Sequence, residues 1–333
     1  MRVLKQVLVF ALVAVAMVSG RAAFAAVDKI IVFGDSLSDN GNVYQLTQGY
    51  PGNPLLPFPG DTTYVGGRQT NGRVAVEFMS LNMRTPLVDY AQAGATTGTV
   101  NVNDDGSLGV PAGALHLAGM KTQVANYLAA PHAADPNALY VLWGGPNDFL
   151  SGLANPGAFD PAGAISAALG NLSLEAQSLY LGAGARSFLI PNMPDLGLTP
   201  RARFGGLSSL ATGVTEAFNT NLNDMLAGLR AGLPGATVFG FDSFSLSQQI
   251  FADFSGGNPG ATNVSVPCSF LTACATDPAM QSQFFFWDDI HPTTQVDSIL
   301  GRSMAQAVPE PQTWAALIAG LSLLAWMRRR IHE

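Results

Sequence analysis

Ile30-Ile31-Val32-Phe33-Gly34-Asp35-Ser36-Leu37-Ser38-Asp39 sets four apolar residues ahead of a Gly-Asp-Ser break. The apolar run is short, β-branched or aromatic, and free of charge. That pattern suits a strand buried on both faces, as in a parallel sheet covered by helices. Four further segments read the same way: Leu87-Val88-Asp89-Tyr90, Leu139-Tyr140-Val141-Leu142-Trp143, Ser187-Phe188-Leu189-Ile190 and Thr237-Val238-Phe239-Gly240-Phe241. Each is bounded by Gly, Pro, Asn or Asp. Between them lie stretches of helical period. These are Val74 to Leu81, Met120 to Leu128, Ile165 to Leu181, Leu210 to Leu229, and a last helix after Pro292. In the third, Ile165, Leu169, Leu172, Ala176 and Leu179 share one side. Alternating strand and helix signals predict an α/β fold: a doubly wound, mostly parallel sheet with helices on both faces. Functional sites in such folds lie at the carboxyl ends of the strands.

Composition narrows the function. The chain has 333 residues, of which 12% are charged and 48% hydrophobic, with a net charge of −7. So apolar a chain is not disordered. Its acidic balance and lack of a basic patch argue against nucleic-acid binding. Two Cys and four His leave little room for a zinc cluster. Much of the apolar excess sits at the ends. Arg2 and Lys5 precede the twelve-residue apolar run Val7 to Val18, and Ala23-Phe24-Ala25 offers a cleavage site. Residues 1–25 therefore read as a secretory signal peptide. The alternative, a membrane anchor, would have to span a core of about 30 Å with about 18 Å of helix.

At the other end, residues 309–333 hold Pro309-Glu310-Pro311, an almost wholly apolar stretch from Trp314 to Met327, and Arg328-Arg329-Arg330. This order resembles the PEP-CTERM sorting signal of Gram-negative bacteria. The resemblance implies a short transmembrane helix, transient membrane association, and removal by an exosortase after signal peptidase has acted. A permanent C-terminal anchor is the alternative. Either way the chain is expected to be exported, with a cell-surface or extracellular destination. In an exported protein, Cys268 and Cys274 read as a small disulfide loop, with two free thiols as the other reading. The body, residues 26–308, keeps ten basic and 21 acidic residues, so it is more acidic than the whole.

Ser36 falls at the carboxyl end of the first strand, where a nucleophile could be presented. Gly-Asp-Ser is equally a common turn and helix N-cap, and no Gly-x-Ser-x-Gly elbow surrounds it. A nucleophilic Ser needs a base. Of the four histidines, His332 follows the terminal arginines, His132 lies in an Ala-rich loop, and His116 has no acid nearby in sequence. His291 sits in Phe286-Trp287-Asp288-Asp289-Ile290-His291-Pro292-Thr293, three residues after Asp288. A carboxylate at that spacing can fold back onto the imidazole and fix its tautomer; a turn-stabilising pair is the plainer reading. Asp289 is a second candidate acid. Two further blocks end strands: Trp143-Gly144-Gly145-Pro146-Asn147-Asp148 and Ala91-Gln92-Ala93-Gly94-Ala95. The Ser36 N–H, the Gly94 N–H and the Asn147 side-chain amide would make three donors for an oxyanion.

Taken in order, these four blocks resemble the SGNH, or GDSL-type, esterase and lipase family. Thr70-Asn71-Gly72-Arg73 and Pro191-Asn192-Met193-Pro194-Asp195-Leu196-Gly197 are similar to it as well. The resemblance runs from Lys29 to about Ala307. It implies a flavodoxin-like three-layer sandwich over residues 26–308. It also implies Ser36 as nucleophile, His291 as base, Asp288 as its orienting acid, and Ser36, Gly94 and Asn147 as the oxyanion hole. No metal or organic cofactor is implied. Ala93-Gly94 departs from the frequent Gly-Gly but keeps the backbone donor.

The expected activity is hydrolysis of carboxylic esters, of a lipid or an acylated glycan, through an acyl-enzyme. O-deacetylation of an exopolysaccharide is the alternative on the same site. A surface or matrix protein with a vestigial site is the alternative of another class. Phe284-Phe285-Phe286-Trp287 could line an acyl pocket or be core. The long loops Gly49 to Gly67 and Thr96 to Gly113 are expected to wall the substrate.

Overall fold

A computed structural model describes residues 27–60, 63–131 and 134–308, together with the single residue Gly320. The two terminal signals read above therefore lie outside the described residues, Gly320 apart, and so does His132. Residues Val27–Val308 form one compact unit. Its centre is a five-stranded sheet: β1 (Ile30–Gly34), β2 (Leu87–Asp89), β3 (Leu139–Trp143), β4 (Ser187–Pro191) and β5 (Thr237–Phe241). The strand order is β2-β1-β3-β4-β5 and every pairing is parallel. Seven helices of eight or more residues are described. They are α1 (Ala75–Met83), α2 (Met120–Ala129), α3 (Pro146–Ala154), α4 (Pro161–Gly182), α5 (Ser208–Gly232), α6 (Ser243–Ser255) and α7 (Thr294–Ala307).

The side-chain period of two along each strand divides the core. Ile31, Phe33, Tyr140, Leu142, Phe188 and Ile190 face a layer built from α2, α4 and α5, which contribute Val124, Leu172 and Phe218 among others. Ile30, Val32, Leu139, Val141, Trp143 and Leu189 face the opposite layer, with Met79 of α1, Ile250 of α6 and Leu300 of α7. The protein is thus a three-layer α/β sandwich with helices on both faces, in agreement with the alternating sequence pattern. Among the described residues, no helix is long and apolar enough to cross a membrane.

Three of the described elements outside the sequence reading bear on the site or the core. The short helix Asn42–Thr47 follows the Ser36 turn. Helix α3 opens with Pro146 at its first position, a favoured place for proline. Helix α6 is Ser-rich and opens on Asp242, whose carboxylate accepts the Ser245 N–H at 3.0 Å; that N-cap was a legible signal.

Topology positions the functional blocks. β1 and β3 are central and in register through Gly34 and Trp143. Past the end of β2, Tyr90 and Gln92 donate their N–H groups to Val32 and Gly34 of β1. The segments after β2, β1 and β3 therefore leave the sheet side by side at one end. They carry Gly94, Ser36 and Asn147.

Candidate active site

The turn after β1 is set by its own carboxylates. Asp35 Oδ1 accepts the Leu37 N–H at 3.0 Å, and the Asp35 carbonyl accepts the N–H groups of Ser38 and Asp39. Asp39 is fully buried and reaches across to the neighbouring segment. Its Oδ1 accepts Gly41 and Asn42 N–H, while its Oδ2 accepts Ala93 N–H at 2.8 Å. Asn42 donates its amide to the Asp89 and Ala91 carbonyls at 3.0 and 2.8 Å. Gln123 of α2 clamps Gly34, accepting its N–H and donating to its carbonyl. The Ser36 backbone is held from three directions.

Gly94 must be glycine. Its φ is +86°, and a Cβ there would come within 2.5 Å of Asn103 Nδ2 and 2.6 Å of Asn101 Oδ1. Beside it, the Asn147 side chain donates to the Ala95 carbonyl at 3.0 Å. Asp148 accepts both the N–H and the hydroxyl of Thr97, at 2.9 and 2.8 Å. These bonds thus tie the start of α3 to the Gly94 segment. Among the described residues, no protein acceptor takes the N–H of Ser36 or of Gly94. One of the two Asn147 amide hydrogens is left over.

His291 comes from a distant turn. Phe286 and Pro292 form an antiparallel bridge, and Trp287 N–H donates to the His291 carbonyl at 2.8 Å. Inside the turn, Asp288 Oδ1 accepts the N–H of Ile290 at 2.9 Å and of His291 at 2.7 Å. Its Oδ2 lies 2.7 Å from His291 Nδ1. On the other side of the ring, Nε2 lies 2.8 Å from Ser36 Oγ, across 255 positions of sequence. Burial alone would raise the Asp288 carboxyl, but the His291 charge and the hydrogen bonds of the turn hold it below the usual carboxylate range. Asp289 points elsewhere: its carboxylate meets the Arg201 guanidinium at 2.8 and 3.1 Å. His116 is not among the residues lining this site.

Ser36, Gly94, Asn147, Asp288 and His291 line one cavity of about 510 Å³. Leu37, Phe58, Leu150, Leu196, Leu198 and Phe286 supply apolar wall. The loop Gly49 to Gly67 contributes Phe58 and Tyr64, and the loop Thr96 to Gly113 contributes Val102, Asn103 and Asp105. The aromatic run divides. Phe285 and Phe286 line the cavity and join the core beneath the sheet, while Phe284 and Trp287 pack around the Cys268–Cys274 disulfide. A histidine set between a carboxylate and a hydroxyl can take the hydroxyl proton, and free N–H donors beside it can hold an oxyanion. Among the described residues, no three His, Cys, Asp or Glu side chains gather as a metal site needs.

Several supporting residues had no assigned role in the sequence. Thr70 Oγ donates to the Pro292 carbonyl at 2.9 Å, and Asn71 Oδ1 accepts the Thr294 N–H at 2.8 Å. Both latch the His291 turn. The Thr70-to-Arg73 phrase marked the place without showing its partner. Tyr64, whose hydroxyl donates to Asp288 Oδ2 at 2.8 Å, carried no sequence signal at all.

Comparison with known proteins places the chain. The model of the GDSL-like Lipase/Acylhydrolase family matches residues 30–304. An uncharacterised protein of the trpE–trpG intergenic region of Pseudomonas putida is 31% identical over 291 residues, which are 79% of this chain and 45% of that one. The chain therefore spans under half the length of that relative. A phosphatidylcholine-sterol acyltransferase of Aeromonas hydrophila is 26% identical, over 84% of this chain and 90% of its own length. Among solved structures, the carbohydrate acetylesterase Est24 of Sinorhizobium meliloti superposes with a TM-score of 0.43 at 15% identity, covering 84% of this chain and 96% of that one.

Proposed function

The chain belongs to the GDSL-like lipase/acylhydrolase family, and from that premise we propose that it is an exported serine esterase or lipase acting on carboxylic esters. One observation carries the reading: Ser36 Oγ, His291 and Asp288 stand in line at 2.8 and 2.7 Å inside a largely apolar cavity.

With its Nδ1–H donated to Asp288, His291 presents Nε2 as an acceptor. It takes the Ser36 proton as Oγ attacks the ester carbonyl. The negative charge that develops on the carbonyl oxygen is received by the N–H groups of Ser36 and Gly94 and the free hydrogen of Asn147. His291 then protonates the departing alcohol, and an acyl-Ser36 ester remains. Water, deprotonated by His291, releases the acid and restores the serine. Asp288 keeps the tautomer and balances the imidazolium charge.

The apolar wall formed by Phe58, Leu150, Leu196 and Leu198 supports an acyl chain longer than acetyl as the preferred substrate. Export rests on the basic start, apolar run and small-residue site within residues 1–25. C-terminal processing rests on the Pro-Glu-Pro, apolar and triple-Arg order of 309–333.

The test is a panel of p-nitrophenyl esters from acetyl to palmitoyl, with wild type and Ser36→Ala. Wild type should turn over, and Ser36→Ala should lose on the order of 10⁴-fold or more in kcat. Ready hydrolysis by the alanine variant would remove Ser36 from the mechanism. Activity confined to acetyl esters would move the substrate to acetylated glycans. A wild-type protein that fails to react with a fluorophosphonate probe would point to a vestigial site.

A further inference from the structure

Tyr64 is a half-buried residue of the loop between Asn42–Thr47 and α1, and the reaction above gives it no task. Its hydroxyl donates to Asp288 Oδ2 at 2.8 Å, the same oxygen that meets His291 Nδ1 at 2.7 Å. We propose that Tyr64 is a positioning residue for the reaction, holding the Asp288 carboxylate in the one orientation His291 can use. The proposal rests on the roles given above to Asp288 and His291.

The acceptor sites of Asp288 are few and fully assigned. Oδ1 of Asp288 is occupied by two N–H groups of its own turn. Oδ2 takes the imidazole N–H along one lone-pair direction and leaves another open. Asp288 and Tyr64 both line the cavity, so solvent would reach that second direction if nothing filled it. A water there would compete with His291 for the same oxygen and let the carboxylate turn. The Tyr64 hydroxyl fills the position with a donor that cannot diffuse away. A carboxylate accepts and never donates, so the phenol must supply the proton of this bond. Burial, then the Asp288 charge and this hydrogen bond, push Tyr64 ionisation upward, so the donor persists.

The ring is fixed independently of the hydroxyl. It packs against the cluster of Cys268, Cys274, Phe284 and Trp287. Trp287 is the neighbour of Asp288 in sequence, so one cluster supports both ends of the hydrogen bond. On the chain side, Val65 N–H donates to the Thr70 carbonyl at 3.2 Å, and Arg68 pairs with Glu77 at 2.7 Å. Tyr64 therefore acts as a strut between the disulfide cluster and the acid. Replacing it by Phe keeps the strut and removes only the donor.

Tyr64→Phe and Asp288→Asn, singly and together, test this on the full chain with a short neutral p-nitrophenyl ester. Tyr64→Phe should lower kcat about tenfold, the scale of one charge-assisted hydrogen bond partly replaced by water. KM should stay within about twofold, because nothing that binds substrate has been removed. In the Asp288→Asn background the same substitution should change kcat by less than about twofold, since a residue acting through Asp288 has nothing left to act on. Thermal melts of the four proteins report folding. Wild-type kcat in Tyr64→Phe overturns the proposal, and so does an equal fold-loss in both backgrounds or a loss seen in KM alone. Wild type must also hydrolyse the ester and lose that activity in Ser36→Ala. Failure there removes the functional reading and this proposal together. An active, Ser36-dependent enzyme indifferent to Tyr64→Phe removes this proposal only.

Discussion

Asp35 gives the sharpest quantitative prediction. It is 1% exposed, one oxygen accepts the Leu37 N–H, and the other meets no donor. Burial pushes its carboxyl up to about 7 from an ordinary 3.8, against the pull of the Leu37 N–H and of His291. The folded protein therefore holds a proton on Asp35 at pH values where the unfolded chain has released it. The native state binds more protons across that window, so stability falls as pH rises through it. Each pH unit between the two values is worth about 1.4 kcal/mol, and the whole effect reaches about 4 kcal/mol above the folded value.

Asp35→Asn removes the titration while keeping an oxygen for Leu37. Its amide leaves an unpaired buried donor, a pH-independent loss of about 1–3 kcal/mol. The absolute change is therefore small or unfavourable in acid, but its pH dependence is clean. From about pH 5 to about pH 8, the variant should gain about 2–3 kcal/mol relative to wild type. Urea unfolding of both proteins at several pH values, with equal m-values, measures the difference. Other titrating groups are common to both proteins and cancel. A stability difference that stays flat with pH, or moves the other way, would show that Asp35 ionises normally in the fold and that the burial argument fails.

Three other substitutions test the site from different sides. Gly94→Ala should cost about 10²–10³ in kcat, because a Cβ cannot fit beside Asn101 and Asn103 unless the N–H donor shifts; steady-state kinetics on a short ester measures it. Asp288→Asn should cost about 10³–10⁴ in kcat. Asp289→Asn should be mild in both kcat and melting temperature, since its Arg201 partner is half-exposed and such pairs are worth under about 1 kcal/mol. The reverse ranking would make Asp289 the working acid.

The fold was legible because its inner strands are buried on both faces. Ile30 to Phe33 and Leu139 to Trp143 are continuous apolar runs, and no surface demand interrupts them. Helix α6 was missed although Ser247, Ile250 and Phe251 are buried at helical spacing, because its Ser-rich sequence masks the stripe. The groups at the strand ends were legible for a related reason: Ser36, Gly94 and Asn147 sit where the sheet stops, and each strand announces its own end. The aromatic run 284–287 was ambiguous because its members divide between two clusters, and no local period records a turn. Sequence set Asp288 ahead of Asp289 only through its three-residue spacing and the family resemblance. Each lies close enough to reach His291, and the choice is made by Arg201, 88 positions away.

What sequence could not show is how the two halves of the site are kept in register. Ser36, Gly94 and Asn147 belong to the sheet end. Asp288 and His291 belong to a turn that precedes α7. Between the halves, the 64–71 segment makes three connections to that turn: Tyr64 to Asp288, Thr70 to Pro292, and Asn71 to Thr294. Each pairs residues more than 200 positions apart; the Thr70-to-Arg73 phrase marks two of the positions, but nothing local names their partners. Their effect is nevertheless geometric. In the proposed reaction a proton would pass from Ser36 to His291 only if the 2.8 Å separation is maintained between groups carried by unrelated elements. Misplacement by about 1 Å is enough to cost about 10²-fold in rate. The residues proposed to carry the chemistry could be read from motifs because they end strands or share a turn. The pairings that align them could not, because they are fixed only when the chain has folded.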